Sequence, residues 1–270
     1  MKIAALQMVS SPDVARNLDS AWRLMREAAQ AGAQLVGLPE YFCHMGRRDT
    51  DKLAIAEAAG DGPIQRMLSD AARELGLWVV GGTLPIRSAD PQRVLNANCV
   101  FAPDGSLAAR YDKIHLFRYD NGREQYDEGR VIEAGNQPQA LDVGALRLGL
   151  SVCYDLRFPE LYRELGFGAG HHACDLLSVP SAFTHTTGSA HWELLLRARA
   201  VENQCYVMAP AQGGVHENGR RTYGHSMVVD PWGELLAVLP EGEGVVMAEI
   251  DSGRIASVRR QLPALQHRRL

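Results

Sequence analysis

The chain has 270 residues, of which 46% are hydrophobic and 22% are charged, a balance typical of a globular protein with a sizeable core. The formal net charge of -4 argues against nucleic acid as a partner. No apolar run approaches the ~20 residues that cross a bilayer, and residues 1–9 lack a secretory signal, so the sequence predicts no membrane partner either.

The first half of the chain alternates strands with helices. Apolar residues recur at helical spacing over residues 17–31, and Asn17 stands where a helix cap is expected. Pro63 begins a second helix over residues 63–75, and Gly76 ends it. Strands are predicted at residues 2–8, 35–38 and 78–84, followed by a hairpin that joins 98–102 to 107–111.

The second half repeats this order. Its predicted elements are strands at 148–152, 175–179 and 205–209, helices at 159–165 and 189–203, a hairpin that joins 226–229 to 235–239, and a last strand at 245–250. Two such halves predict an α/β fold, a four-layer α-β-β-α sandwich of two mixed sheets with pseudo-twofold halves, in one domain over residues 1–270. A doubly wound single sheet stays open, but the hairpins favour mixed sheets because a purely parallel sheet has no place for them.

The cysteines are odd in number and scattered, without C-x-x-C spacing. They are Cys43, Cys99, Cys153, Cys174 and Cys205. This pattern disfavours a disulfide framework and a structural zinc site, so the sequence predicts no metal and a reducing, cytoplasmic compartment. The histidines at 171, 172, 185 and 191 could suggest a metal, but no ligand spacing supports one, and interface or surface histidines fit better.

Cys153 lies where the strand predicted at residues 148–152 turns into a helix. A nucleophile at such a turn has an exposed side chain and backbone N–H groups nearby, as in a nucleophile elbow, although the glycine signature of that motif is absent. The alternative is a buried structural thiol, because cysteine is among the most buried residue types.

Two charged residues stand at strand ends in the first half. Glu40 comes after residues 35–38 between aromatic neighbours, where a sheltered carboxylate can serve as a general base. Lys113 follows the first hairpin, where its ammonium can stabilise an oxyanion or a thiolate. The alternatives are a surface glutamate and a lysine whose stem packs while its charge reaches water.

Three segments around these residues resemble the signature segments of the nitrilase superfamily of carbon–nitrogen hydrolases. They are Pro39-Glu40, Asp112-Lys113-Ile114-His115-Leu116-Phe117 and Val152-Cys153-Tyr154-Asp155-Leu156-Arg157-Phe158-Pro159-Glu160. The resemblance covers nearly the whole chain. It implies the α-β-β-α sandwich, no metal or cofactor, Cys153 as nucleophile, Glu40 as base, and Lys113 with the Tyr154 backbone N–H around the oxyanion.

The resemblance adds a second glutamate. Glu128 stands at the place of a family residue that positions the lysine and the substrate amide, and Asp127 is the alternative. Within the superfamily, residues 181–193 resemble the branch that contains ω-amidase and deaminated glutathione amidase, and residues 223–233 are more similar to the latter. The stretch 166–174 is longer than relatives usually show, and Ser189 stands where proline is common.

The branch implies an amidase that acts on a small carboxylate-bearing amide through a thioester, with water as the second substrate. Arg157 is expected to bind the substrate carboxylate, with an ion pair to Glu160 or Glu164 as the alternative. Phe183 and Thr187 match positions that line the pocket. Deaminated glutathione is the expected substrate, and ω-amidase activity is the nearest rival.

Other functions remain open at this point. The fold could serve as a catalytically inactive binding or scaffold protein, and the thioester could pass to an amine instead of water. Nitrile hydrolysis is less favoured, because the branch points to amides. The amphipathic helices after Cys153 and over residues 191–203 resemble the dimer surface of the family, which implies a homodimer or a higher even oligomer.

Overall fold

The structure, a computed structural model, describes residues 1–167 and 172–269. The helices are α1 (Val14–Gln30), α2 (Asp51–Ala54), α3 (Pro63–Leu75), α4 (Pro159–Phe167), α5 (His185–Asn203) and α6 (Ser252–Gln261). Short 3-10 helices occupy Glu128–Arg130, Cys153–Arg157 and Ala264–Gln266. The strands are β1 (Lys2–Gln7), β2 (Leu35–Gly37), β3 (Trp78–Val80), β4 (Leu84–Arg87), β5 (Val94–Phe101), β6 (Leu107–Asp112), β7 (Arg118–Asp120), β8 (Gln125–Asp127), β9 (Ile132–Glu133), β10 (Gln139–Val143), β11 (Leu146–Leu150), β12 (Leu176–Ser178), β13 (Tyr206–Ala209), β14 (Gly213–Val215), β15 (Arg221–Tyr223), β16 (Ser226–Val229), β17 (Leu235–Leu239) and β18 (Gly244–Glu249).

Most strands in the described part of the chain belong to two mixed sheets. The first has eight strands in the order β18-β1-β2-β3-β5-β4, with β6 and β9 also paired to β5. The second has six strands in the order β10-β11-β12-β13-β16-β17. The ribbons β7-β8 and β14-β15 lie outside them. The single doubly wound sheet that the order of elements left open is therefore excluded.

The two sheets face each other, with helices outside. Along β1, Ile3 and Ala5 belong to a core cluster that also contains residues of β11, β12 and β13, whereas Ala4 and Leu6 belong to a cluster with residues of α1 and α3. Alternation of this kind means that one face of the strand meets the second sheet and the other meets the helices. On the second sheet, α4 and α5 pack together. The fold is the predicted α-β-β-α sandwich.

The predicted pseudo-repeat is present in the sheet order. In each sheet three parallel strands are followed by an antiparallel one, β1-β2-β3 by β5 and β11-β12-β13 by β16. An antiparallel strand also flanks the first parallel one, β18 beside β1 and β10 beside β11. Because β18 comes from the end of the chain, the first half is completed by a strand that lies far from it in sequence.

The predicted cap of α1 is wrong. Asp13 caps this helix by accepting a hydrogen bond from the Arg16 N–H, and Asn17 lies buried inside the first turns. The Asn17 amide donates to the carbonyls of Ser11 and Cys43, at 2.8 and 2.9 Å. Asn17 therefore fixes the segment that follows Glu40.

The strand predicted at residues 78–84 is interrupted. It divides into β3 and β4 because Gly82 has a φ of 56°, a left-handed conformation that favours glycine. A Cβ on Gly82 would collide with the carbonyl oxygen of Pro39. The break therefore allows the Pro39-Glu40 turn to approach the sheet closely, and Thr83 Oγ1 accepts the Tyr41 N–H there at 2.9 Å.

The helices of the second half are longer than predicted. Helix α5 begins at His185 because Thr184 caps it, accepting a hydrogen bond from the Thr187 N–H. Helix α4 extends to Phe167, and residues 168–171 of the loop-like stretch lie outside the described residues. Among the described residues, no helix has both the length and the apolar character needed to cross a membrane.

Candidate active site

Glu40 lies just beyond the end of β2, at the turn that Gly82 admits. Its side chain is 1% exposed. Oε1 accepts hydrogen bonds from Asn96 Nδ2 at 3.0 Å and Lys113 Nζ at 2.8 Å, and Oε2 accepts the Ala182 N–H at 3.0 Å. Three donors therefore replace the water that the buried carboxylate has lost.

Lys113 follows β6 directly and is fully buried. Its ammonium donates to Glu40 and also to both carboxylate oxygens of Glu128. Burial by itself lowers the pKa of the Lys113 ammonium, but the charges of Glu128 and Glu40 more than offset this, and the pKa lies above its ordinary value. The lysine therefore stays protonated and acts as a fixed positive charge.

Glu128 begins the 3-10 helix after β8. Besides Lys113, it accepts hydrogen bonds from the Tyr41 hydroxyl and the Phe117 N–H, both at 2.7 Å. Burial opposes its ionisation, but Lys113 and the other donors hold the pKa of the carboxyl below its usual range. Asp127 lies away from this cluster, 3.8 Å from Arg130 Nε. Of the two acids that the sequence left open, the structure brings Glu128 to the lysine.

Cys153 is the first residue of a 3-10 helix that follows β11, with a φ of 50°. A positive φ is uncommon outside glycine and marks strain in a tight turn. The buried carboxylate of Asp155 supports the turn: it accepts the Val152 N–H at 2.8 Å and the Tyr111 hydroxyl at 2.7 Å. The strand-to-helix turn predicted from the sequence is thus a strained elbow.

The elbow leaves one backbone donor unused. The Cys153 N–H donates to the Pro180 carbonyl at 2.9 Å, but within residues 1–167 and 172–269 no acceptor receives the Tyr154 N–H. The first N–H groups of a helix point outward and lack intrahelical partners. The Tyr154 amide is therefore available to an oxyanion formed beside the sulfur.

The thiol of Cys153 is 7% exposed, and its charge state follows from its surroundings. Burial raises its pKa well above the ordinary value, Glu40 raises it further, and Lys113 opposes both only in part. The resting residue is therefore a neutral thiol. To react as a thiolate it must lose its proton to a nearby base, and Glu40 borders the same cavity.

The cavity beside Cys153 holds about 270 Å³ of empty space. It is bordered by Glu40, Phe117, Glu128, Cys153, Tyr154, Arg157, Ala182, Phe183, Thr184, Thr187 and Arg220. All three substrate-binding residues predicted from the sequence, Arg157, Phe183 and Thr187, are among them. Glu40, Glu128 and Cys153 therefore border the same cavity as the predicted binding residues, and Lys113 contacts it through Glu40.

The predicted binding residues differ in whether their polar groups already have partners within the protein. Within the described ranges Arg157 makes no ion pair, so the predicted alternative of a salt bridge to Glu160 or Glu164 is not formed; its Nη1 lies 3.3 Å from His191 Nδ1. Its guanidinium carbon lies 5.3 Å from the centre of the Phe183 ring. The Thr187 hydroxyl already shares a 2.9 Å hydrogen bond with Thr184.

The histidines near the site can be placed from the same geometry. His115 Nδ1 lies 2.7 Å from Asp155 and its ring stacks on Phe158, so it is a packing partner, and it does not border the cavity. In the parts of the chain that are described, no three His, Cys, Asp or Glu side chains come together as a metal site. His171 lies outside those parts.

Known proteins share this arrangement of sequence and fold. The carbon-nitrogen hydrolase family profile matches residues 2–260. The deaminated glutathione amidase of Synechocystis sp. is 42% identical over 269 residues, covering 98% of this chain and 97% of that protein. The C. elegans NitFhit crystal structure superposes with a TM-score of 0.90 at 39% identity, over 99% of this chain but only 65% of NitFhit.

The chain belongs to the carbon–nitrogen hydrolase family. It is a hydrolase of carbon–nitrogen bonds other than peptide bonds. A further relative bears on the cysteine: a mutant of the amidase from Nesterenkonia sp. AN1 carries an acrylamide adduct at its active-site cysteine. That structure is 28% identical with a TM-score of 0.79, and the match covers 98% of this chain and 99% of that one.

Several residues of this carbon–nitrogen hydrolase site were not predicted. Asn96 holds Glu40, Tyr41 holds Glu128, and Arg220 borders the cavity. Tyr41 is next to Glu40 in the sequence, and Asn96 is one of two asparagines in a strand whose other residues are apolar, so both could have been noticed. Arg220 gave no such signal, because it lies in a polar turn between β14 and β15.

Proposed function

We propose that this carbon–nitrogen hydrolase is an amidase that cleaves deaminated glutathione through a thioester on Cys153. The observation that carries the proposal is a buried cluster in which Lys113 joins Glu40 and Glu128, the two carboxylates that border the same cavity as the neutral thiol. The acrylamide adduct at the active-site cysteine of the Nesterenkonia relative and the name of the Synechocystis relative support it.

Acylation begins with proton transfer. Glu40 accepts the thiol proton of Cys153 as the sulfur attacks the amide carbon, and the carbonyl electron pair becomes an oxyanion. Lys113 and the Tyr154 N–H stabilise that oxyanion. When the oxyanion collapses, the carbon–nitrogen bond breaks and Glu40 returns the proton to the departing nitrogen.

Deacylation repeats the cycle with water. Glu40 takes a proton from water as the water oxygen attacks the thioester, and the sulfur leaves with that proton as a thiol again. Two glutamates and one lysine give the cluster a charge of about one negative unit. Because each step moves a proton within the cavity, that total is unchanged, and no additional charge is buried.

Arg157 would hold the carboxylate at the acyl end of the substrate. Its guanidinium borders the cavity, makes no ion pair within the described residues, and offers the planar pair of donors that suits a carboxylate. Phe183, which is 6% exposed and packs on Trp192, supplies an apolar wall. Thr187 completes the wall near the start of α5.

ω-Amidase activity is the second candidate, because the same thiol and the same carboxylate-binding arginine would serve a short keto-acid amide such as α-ketoglutaramate. Both substrates share the same acyl end, so both require Arg157. They differ only in the amine that leaves.

A substrate panel tests these functions directly. Deaminated glutathione, α-ketoglutaramate and α-ketosuccinamate are compared by kcat/KM, with the keto acid, ammonia and amine products measured separately. The highest kcat/KM is expected for deaminated glutathione; a higher value for α-ketoglutaramate would favour ω-amidase. Added amine that diverts product from the free acid would indicate acyl transfer, and no turnover of any substrate would favour an inactive scaffold.

We also propose that residues 1–270 form one domain and that two copies of the chain pair as a homodimer in the cytoplasm. The exposed apolar side chains Leu194 and Val201 on α5 lie beside the β16–β17 hairpin, where Trp232 and Leu235 are also exposed. Apolar patches of this kind are commonly covered by a partner. Light scattering should give twice the monomer mass, and Trp232→Ser should lower it.

A further inference from the structure

A second cavity, which we call the outer basin, adjoins the catalytic one. It holds about 840 Å³ and is bordered by Tyr41, His44, Met45, Gly46, Arg47, Arg48, Asp49, Lys52, Gln125, Tyr126, Asn218 and Arg220. Arg220 borders both cavities. The proposed reaction uses none of the other residues directly, so the function of this space is still to be explained.

Positive charge dominates the lining of the outer basin. It has four cationic side chains, Arg47, Arg48, Lys52 and Arg220, against the single carboxylate of Asp49. Arg48 is paired with Asp51 at 3.2 Å, which leaves three cations for one acid. A concave wall with surplus positive charge attracts anionic groups.

Lys52 is one of the cations of this lining that the protein compensates only in part. It lies half-buried on α2, and its Nζ is 5.0 Å from the centre of the Tyr41 ring. Within the described residues it makes no ion pair. Burial lowers the pKa of this ammonium, and the attraction of Asp49 and Glu128 offsets that only in part. A carboxylate bound beside it would restore the missing compensation.

Arg220 connects the outer basin to the reacting groups. Its Nη2 donates to the Ala182 carbonyl at 2.9 Å. The backbone N–H of Ala182 in turn donates to Glu40. Its guanidinium carbon lies 5.1 Å from the centre of the Tyr126 ring, and its buried Nε has no hydrogen-bond partner among the described residues. An unpaired donor on the wall shared by both cavities suits a ligand that extends from one to the other.

We propose that the outer basin binds a carboxylate on the amine side of the scissile bond, so that the enzyme prefers amides whose leaving group is itself acidic, such as a dipeptide. Lys52 and Arg220 are the residues that recognise it. The inference rests on the proposed function and extends it: the catalytic cavity holds the acyl end, and the adjoining basin holds the amine side of the substrate.

The test compares two substrates that differ only in this charge. Deaminated glutathione ends in a carboxylate, and its C-terminal carboxamide is the neutral match. We expect the wild-type kcat/KM to favour the acid by about ten- to hundredfold, the usual range for a charged hydrogen-bonded contact. The preference should appear mainly in KM and weaken as salt is added.

Variants then assign the preference to residues. In Lys52→Gln and Arg220→Gln the ratio of acid to carboxamide should fall toward one, and Lys52→Arg should retain most of it. Because each ratio is taken within one variant, a general loss of folded enzyme cancels. Arg66→Gln, on the exposed face of α3, removes an equal charge outside the basin and should keep the wild-type ratio.

The outcomes separate the two proposals. If the wild type hydrolyses both substrates equally well, the basin does not bind the carboxylate, while the amidase function stands. If a large ratio survives in both Lys52→Gln and Arg220→Gln, the carboxylate is recognised elsewhere and the inference is wrong. If the wild type cleaves α-ketoglutaramate but neither peptide-like substrate, the proposed function fails, and this inference fails with it.

Discussion

The ammonium of Lys113 makes two hydrogen bonds to the carboxylate of Glu128, at 3.0 and 2.8 Å, in a place where the lysine is wholly buried. The remaining lone pairs of Glu128 accept hydrogen bonds from Tyr41 and Phe117, and the third ammonium hydrogen of Lys113 goes to Glu40. These contacts support our proposal that Glu128 positions the lysine, while Glu40 transfers the proton.

The first prediction concerns this pair. Glu128→Gln keeps the shape of the side chain but removes its negative charge, so Lys113 loses a compensating charge. The new NH2 group also faces hydrogen-bond donors, where the carboxylate oxygen accepted their hydrogen bonds. Removing one partner of a buried ion pair typically costs about 3–5 kcal/mol. We expect a loss of that order in the free energy of unfolding by urea, and a fall in kcat of about 10²–10³, as for a misplaced oxyanion donor.

The direction of the Glu128 pKa shift also predicts how the stability of the protein changes with pH. The pKa of Glu128 is lowered in the folded protein, so its contribution to stability is present above its unfolded pKa of about 4.3 and is lost as pH falls through the lower folded value. The wild type should lose stability over that acid range and Glu128→Gln should lose less. Asp127→Asn, whose acid lies outside the cluster, should retain the wild-type slope.

The second prediction follows from the neutral state of the nucleophile. Burial raises the pKa of the Cys153 thiol well above its ordinary value, so the proposed mechanism requires a base, and Glu40 is the base that we propose. Glu40→Gln should lower kcat/KM by about 10²–10⁴, the usual contribution of a general base. Alkylation of its Cys153 by iodoacetamide should be slow at neutral pH and accelerate at strongly alkaline pH.

The matching control is Asn96→Leu, which removes one donor to Glu40 but keeps the carboxylate. Its alkylation should remain faster near neutral pH than that of Glu40→Gln. Equal alkylation of Glu40→Gln and wild type at neutral pH would show that another group takes the thiol proton.

The sequence revealed the site residues that stand at the ends of strands. Glu40, Lys113 and Cys153 each stand just beyond a predicted strand, and a polar or reactive residue at such a boundary is conspicuous in one sequence. The order of strands and helices along the chain was predicted for a related reason: alternation and turn residues are local signals. The roles assigned to these residues stay predictions.

What the sequence did not reveal depends on contacts between distant parts of the chain. Asn17 is of a residue type that often caps helices, yet it is buried, and its side chain donates a hydrogen bond to the Cys43 carbonyl. Arg220 and Lys52 look like ordinary polar-turn and helix residues until the fold brings them to one cavity. No local periodicity predicts that these residues lie close together, because the packing of the two sheets determines their proximity.

The third prediction is selective labelling. All five cysteines are buried, and burial raises the pKa of Cys174 to about 11 and that of Cys99 to about 12. Only Cys153 among them borders the catalytic cavity beside a base. A substrate-like electrophile should therefore add once per chain by intact mass, and the Cys153→Ala protein should gain no adduct. Labelling of Cys153→Ala at the wild-type rate would contradict this.

The fourth prediction concerns the turn that delivers Glu40. Gly76 and Gly82 both have a left-handed φ, 64° and 56°, but a Cβ meets nothing within 4 Å at Gly76 and collides with the Pro39 carbonyl at Gly82. Gly76→Ala should therefore cost only the conformational strain, about 1–2 kcal/mol in urea unfolding, and leave kcat unchanged. Gly82→Ala adds the clash, typically another ~1–3 kcal/mol, and displaces the residue that precedes Glu40, so its kcat should fall as well. If the two variants lose the same stability and both keep kcat, the close approach of Gly82 to Pro39 does not position the base.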